Sequence, residues 1–232
     1  MIEGFLDADS WFLRQWLPQY ERTVVTVRRE IYAERFDEAV DIVWLHQDNS
    51  VSNAGQGTLA AREIRTYREY FRSTIRDIAS DPSPAMFDRV IADFQRQREL
   101  DRLSKVPRLL IARAFATIAP DRYHTTVDWT KHERVIDWFE KHTPFRATAG
   151  NWAHRAAELS LYLSRITALN ESVLVRNMFP WFVFTQLQSK HGRPAFTSGH
   201  RPRVGVGAGR SRLEIDSMAL RHNLLVETLY AD

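Results

Sequence analysis

The sequence predicts a mainly α protein: a multi-helix body followed by a short basic loop or small β element near the C-terminus. Two observations carry this expectation. From Trp11 to about Leu187 apolar residues recur at the three- to five-residue steps that line one face of a helix. Between these runs stand Asn, Gly, Ser and Pro clusters and capping residues, the signals that start and stop helices. The texture changes after Gln188, which divides the chain into a helical part, residues 1–188, and a basic segment with a closing helix, residues 189–232.

Val24, Val27, Ile31 and Phe36 define the first long amphipathic run, with Arg28, Arg29, Glu30, Glu34 and Arg35 on its other faces. Phe36–His46 carries Val40, Val43 and Trp44 on one helical face, although Val-Asp-Ile-Val also reads as a short strand. Asn49–Gly57 is a concentrated turn signal. Thr58 is the expected N-cap of one long helix through Ile64, Tyr67, Phe71, Ile75 and Ile78, ending before Asp81–Pro84. Ser83 and Pro84 restart the helix, which carries Phe87, Val90, Ile91 and Phe94. Pro107 opens a largely buried helix closed by Pro120. The Thr130 and Glu133 spacing predicts a capping box ahead of Val135, Trp138 and Phe139. Two helices follow, Trp152–Leu169 and Glu171–Leu187, the second expected to kink or break at Pro180. A final helix is expected from Glu214 to about Leu229.

Composition narrows the function. The 232 residues contain no cysteine, which removes disulfides, thiolate chemistry and Cys-ligated zinc and points to a reducing, cytoplasmic compartment. No apolar run approaches the roughly 20 residues that span a bilayer, and Met1–Asp9 has no signal-peptide pattern. The expectation is therefore no membrane partner. Net charge is only +3, but just four of the 32 basic residues are lysines, so arginine, whose planar fork suits phosphates and carboxylates, dominates. Between Ser189 and Leu213 there is no acidic residue, against six basic ones, two histidines and five glycines.

No catalytic constellation is visible. Gly205–Arg210 lacks the Gly-Lys-Ser/Thr ending of a nucleotide-binding loop. The eight histidines form no His-Glu-x-x-His pattern, and no Gly-x-Ser-x-Gly elbow is present. Asp121, His124 and Asp128 are the tightest group with metal-ligand chemistry, at positions that more often hold turn and cap residues. Asp121, Asp128 and Lys131 do not have nuclease spacing. The expectation is a chain with no catalytic residues, metal or cofactor. Gly55–Gly57, with Asn49 and Asn53, reads first as a helix-entry turn and second as amides offered to a base edge. The candidate phosphate contacts are Arg193, Arg201, Arg203, Arg210 and Arg212. Trp181, beside Pro180, is the candidate base-stacking residue.

Three sets of phrases resemble the non-ATPase regions of McrB-like, modification-dependent restriction proteins. They are Trp44-Leu-His-Gln-Asp-Asn49 with Gly55-Gln-Gly57; Pro107-Arg-Leu-Leu-Ile-Ala-Arg113 with Ala119-Pro-Asp-Arg-Tyr123; and Asn177-Met-Phe-Pro-Trp-Phe182. The resemblance covers about residues 40–185. It implies a bacterial anti-phage role in which such a region recognises or positions DNA while a separate ATPase or nuclease part acts. The chain departs from complete members in having neither a Walker loop nor a nuclease signature. The phrases define no pocket, so no ligand-contacting residue carries over. The competing expectations are a protein-interaction scaffold that docks a motor or nuclease, and an enzyme whose site is assembled from scattered residues.

Overall fold

The structure, a computed structural model, describes residues 1–148 and 150–189. Among these the architecture is mainly α, with a single antiparallel bridge between Asp48 and Asn53 as its β pairing. None of the described helices is long and apolar enough to cross a membrane. The basic segment and the helix expected at Glu214–Leu229 lie outside the described residues.

Among the described residues ten α-helices follow in order. A short α1 (Ile2–Phe5) precedes a π turn (Phe12–Trp16) that runs into α2 (Leu17–Tyr32). Then come α3 (Phe36–Val40), continued by a second π turn (Asp41–Leu45), α4 (Ala61–Thr66), α5 (Arg68–Ser80) and α6 (Pro84–Glu99). The remainder are α7 (Arg108–Ile118), α8 (Trp129–His142), α9 (Trp152–Leu163) and α10 (Val173–Ser189). Helix α7 is central: every residue from Leu110 to Ile118 is buried, and it packs against α2, α5, α6 and the second π turn. Helix α10 packs against α8, α2 and α9. The stretch expected at Phe36–His46 is therefore helical from Phe36 to Leu45 and not a strand, with its second half widened into the π turn and His46 already extended.

A charge without a carboxylate partner among the described residues sits inside this core. Arg113 on α7 is fully buried; Nη2 donates to the Val43 carbonyl at 2.7 Å, and Nη1 to those of Gln47 and Ser52 at 3.2 and 3.3 Å. A second buried anchor is Asn177 on α10. Its Nδ2 donates to the Tyr20 hydroxyl at 3.3 Å and to the Pro120 carbonyl, while its own carbonyl accepts from Thr125 N and Oγ1, each at 3.1 Å.

Several local expectations are corrected. Thr58 does not cap a helix: α4 starts three residues later, where the Glu63 carboxylate accepts from Ala60 N at 2.9 Å and from the distant Ser104 N at 2.6 Å. The long helix expected through Ile78 divides at Tyr67 (φ −105°, ψ 33°) into α4 and α5. Thr130 and Glu133 form no capping box, because Asp128 is the N-cap of α8 and accepts from Lys131 N at 3.0 Å, while Glu133 pairs with Arg155. Helix α9 stops at Leu163, and Thr167–Leu169 is a separate 3₁₀ turn.

Pro180 neither breaks nor ends α10. A proline inside a helix loses one backbone bond and costs about 3 kcal/mol. Against this, Phe179 and Phe182 are buried and face Phe5, each ring centroid at 5.3 Å from it. Burying two such side chains contributes about 1.5–3 kcal/mol each, which is enough to offset the lost bond. Ser83, by contrast, caps α6 as expected, accepting from Met86 N at 3.1 Å.

The capping assignment is testable by urea unfolding of the full chain. Asp128→Ala is expected to cost about 1 kcal/mol. Thr130→Ala should stay within about 0.5 kcal/mol of the parent; the opposite ranking would restore the Thr130 cap.

Candidate nucleic-acid interface

Most aromatic residues of α10 are buried, since the helix is apolar on nearly every side: Phe179, Phe182 and Phe184 are all under 9 % exposed. Trp181 differs. It is half-buried, and the Lys131 ammonium lies 4.9 Å from its ring centroid and 5.8 Å from that of Phe184. The Arg134 guanidinium, one turn further along α8, lies 5.4 Å from Phe184. Such placements are cation–π contacts, in which the ring's negative face attracts the charge.

The other edge of Trp181 meets the first π turn. Trp16 stands 6.5 Å away at 75°, and Trp11, 43 % exposed, lies 5.8 Å from Trp16. Trp16 Nε1 donates to the Ser50 carbonyl, which holds the ring in place. The result is an aromatic ridge, Trp11–Trp16–Trp181–Phe184, flanked by Lys131 and Arg134. Neither cation pairs with a carboxylate among the described residues, whereas Arg28, Arg35, Arg68, Arg72, Arg76 and Arg155 all do.

Of the residues expected to bind nucleic acid, the structure describes Trp181 alone; Arg193, Arg201, Arg203, Arg210 and Arg212 lie outside the described residues. Linear reading did not single out Trp11, Trp16 or Phe184, and met Lys131 only in a rejected nuclease pattern. The signal available was the three-residue spacing of Lys131 and Arg134 on one helix face. Its aromatic half comes from segments too far apart in sequence to be linked without a fold.

The other candidates resolve as structural features. Asn49 Oδ1 accepts from the backbone N–H of Val51 and Ser52, and Asn53 Oδ1 from that of Gly55, so both oxygens shape their own loop. Gly55–Gly57 is a 3₁₀ turn in which Gly55 takes φ +48°, a region that favours glycine. Asp121 pairs with Arg28 and Asp128 caps α8, so neither joins His124 in a ligand set. Among the described residues no group of three or more His, Asp or Glu side chains is placed to hold a metal ion. A cavity of about 520 Å³ lies between Glu30, Glu34, Arg35, Phe36, Asp37, Glu38, Arg72 and Arg76. Its arginines are already neutralised by Glu30, Asp37 and Glu69, and its acidic residues outnumber them, so it does not suit an anion.

His124 and His132 are both fully buried and stack at 5.1 Å with 25° between planes, each 6.3 Å from Trp152. His124 Nδ1 accepts from Thr126 N at 3.2 Å, which leaves the proton of the neutral ring on Nε2. Burial pushes the His124 imidazole down to about 3. His132 also falls well below its usual value, through burial first and then its neighbours His124 and Arg155. Both rings are neutral at physiological pH, an arrangement suited to packing and not to proton transfer there.

The chain matches no protein-family model, no curated protein and no solved structure.

The histidine pair gives a pH dependence of defined sign. Folded-state values lie below the unfolded value, so acid favours the unfolded chain once pH falls under about 6.5. Each buried ring then removes about 1.4 kcal/mol per pH unit until its folded-state value is reached. Urea midpoints from pH 7.5 to 4.5 should fall more steeply in the parent than in His132→Phe; equal slopes would contradict the assignment.

Proposed function

We propose that the chain is a non-catalytic DNA-binding or assembly module of a restriction-type bacterial defence protein, working in the cytoplasm beside a motor or nuclease supplied by a partner or a fused part. The observation that carries the reading is the aromatic ridge with two cations that pair with no carboxylate among the described residues, because aromatic rings interleaved with basic side chains are how proteins hold nucleic-acid strands. Two further facts support it. The basic stretch Ser189–Leu213 follows directly in sequence on α10, the helix that carries Trp181. The resemblance to McrB-like proteins implies the same role.

Fluorescence anisotropy of labelled single-stranded DNA, duplex and methylated duplex, at low and physiological salt, tests this. Affinity should fall steeply with salt as phosphate contacts release counterions. The Arg201→Ala, Arg203→Ala, Arg210→Ala, Arg212→Ala combination should flatten the log–log salt slope on duplex by about 3–4, near 0.9 per lost phosphate contact. A preference for methylated duplex would strengthen the restriction reading. Absence of binding to any of the three at low salt would sink it and leave the protein-scaffold alternative.

A further inference from the structure

We infer that the Trp11, Trp16 and Trp181 rings of the ridge form a stacking platform for single-stranded DNA, with Lys131 and Arg134 taking its phosphates. The inference rests on the reading of the chain as a DNA-binding module and specifies which strand form this face accepts.

What the rings can stack on decides between strand forms. An indole that is only partly covered offers its π face to a base whose own face is uncovered. Neighbouring indole planes along Trp11, Trp16 and Trp181 differ by 34° and 75°. A rigid duplex, whose π faces are already covered by neighbouring pairs, cannot offer bases at such varied angles. An unpaired strand can, because each base rotates about its own backbone.

The cations supply the second half of the site. The Lys131 ammonium rests over Trp181 and Phe184, with no carboxylate among the described residues to hold it. An arriving phosphate outcompetes the ring for that charge, since an ion-to-ion contact is stronger than a cation–π contact at an exposed site. Moving the ammonium by a few rotamer steps uncovers the Trp181 face for a base. Lys131 thus covers the ring until a strand brings its phosphate. Arg134, one turn away, provides a neighbouring phosphate contact on the same helix face.

The test uses the full chain and oligothymidylate of about ten nucleotides, within the usual footprint of such sites, against a duplex of the same length. Anisotropy gives affinity and tryptophan emission reports stacking. Oligothymidylate is expected to bind more tightly than duplex and to quench tryptophan emission. Trp181→Leu, which keeps the apolar contact, and the more exposed Trp11→Ala should each weaken binding at least about fivefold, the low end of one lost stacked base. Lys131→Gln with Arg134→Gln should lower the log–log salt slope by about 1.4, two single-strand phosphate contacts at roughly 0.7 each. Thermal unfolding checks that the variants fold. If duplex binds as tightly, emission is unchanged and the ridge variants behave as the parent, the stacking platform is overturned while DNA binding stands. If neither nucleic acid binds at low salt, both readings fall together.

Discussion

A guanidinium sealed from solvent without a carboxylate partner is the constraint around which the described residues are organised. Helix α7 is buried along its whole second and third turns, so Arg113 has no route to water. An unpaired buried charge is costly, and burial lowers this guanidinium to about 10, with Asp48 acting in the opposite direction. It still carries its proton at neutral pH. The chain compensates by bringing the carbonyls of Val43, Gln47 and Ser52 onto one side chain, which fixes the end of the second π turn and both limbs of the loop that follows. The same loop presents the Ser50 carbonyl to Trp16. The ridge is therefore held, through one intervening hydrogen bond, by a charge deep in the core.

Asn177 plays a matching part on α10. Its amide and carbonyl join α10 to the segment between α7 and α8 and to Tyr20 of α2, whose hydroxyl burial pushes well above its usual range. Both anchors join segments far apart in sequence: Arg113 meets Gln47, and Asn177 meets Pro120. They are sites where a buried polar group demands a particular backbone course.

Where helix signals were short-range, sequence and structure agree. Ser83 with Pro84, the buried run after Pro107, and the turn cluster at Asn49–Gly57 are each decided by residues a few positions apart. The disagreements arise where a distant partner decides. Glu63 is drawn to Ser104, which sets the start of α4 after Thr58. Glu133 is taken by Arg155, leaving the cap to Asp128. The apolar spacing from Ile64 through Phe71 to Ile78 continues across Tyr67, so periodicity alone could not reveal the break there. Trp181 was legible as the exceptional tryptophan of α10, but its neighbours were not, because Trp16 and Lys131 come from elements that only the tertiary fold brings to it.

The π turn at Phe12–Trp16 sets a rotational phase. A π turn holds one residue more than the α-helix it interrupts, and one residue is worth about 100° around a helix axis. At its start, Phe12 reaches Phe5 and Phe182; downstream, Tyr20 and Val24 face the core. In a regular helix of the same sequence these two groups would point in directions about 100° apart from their present ones. The extra residue acts as an angular offset between the N-terminal aromatic anchor and α2, and Trp16 lies within that offset. For this stretch a single-residue deletion is a larger change than most substitutions, because it turns one half of the contact surface away from the other while leaving every remaining side chain intact.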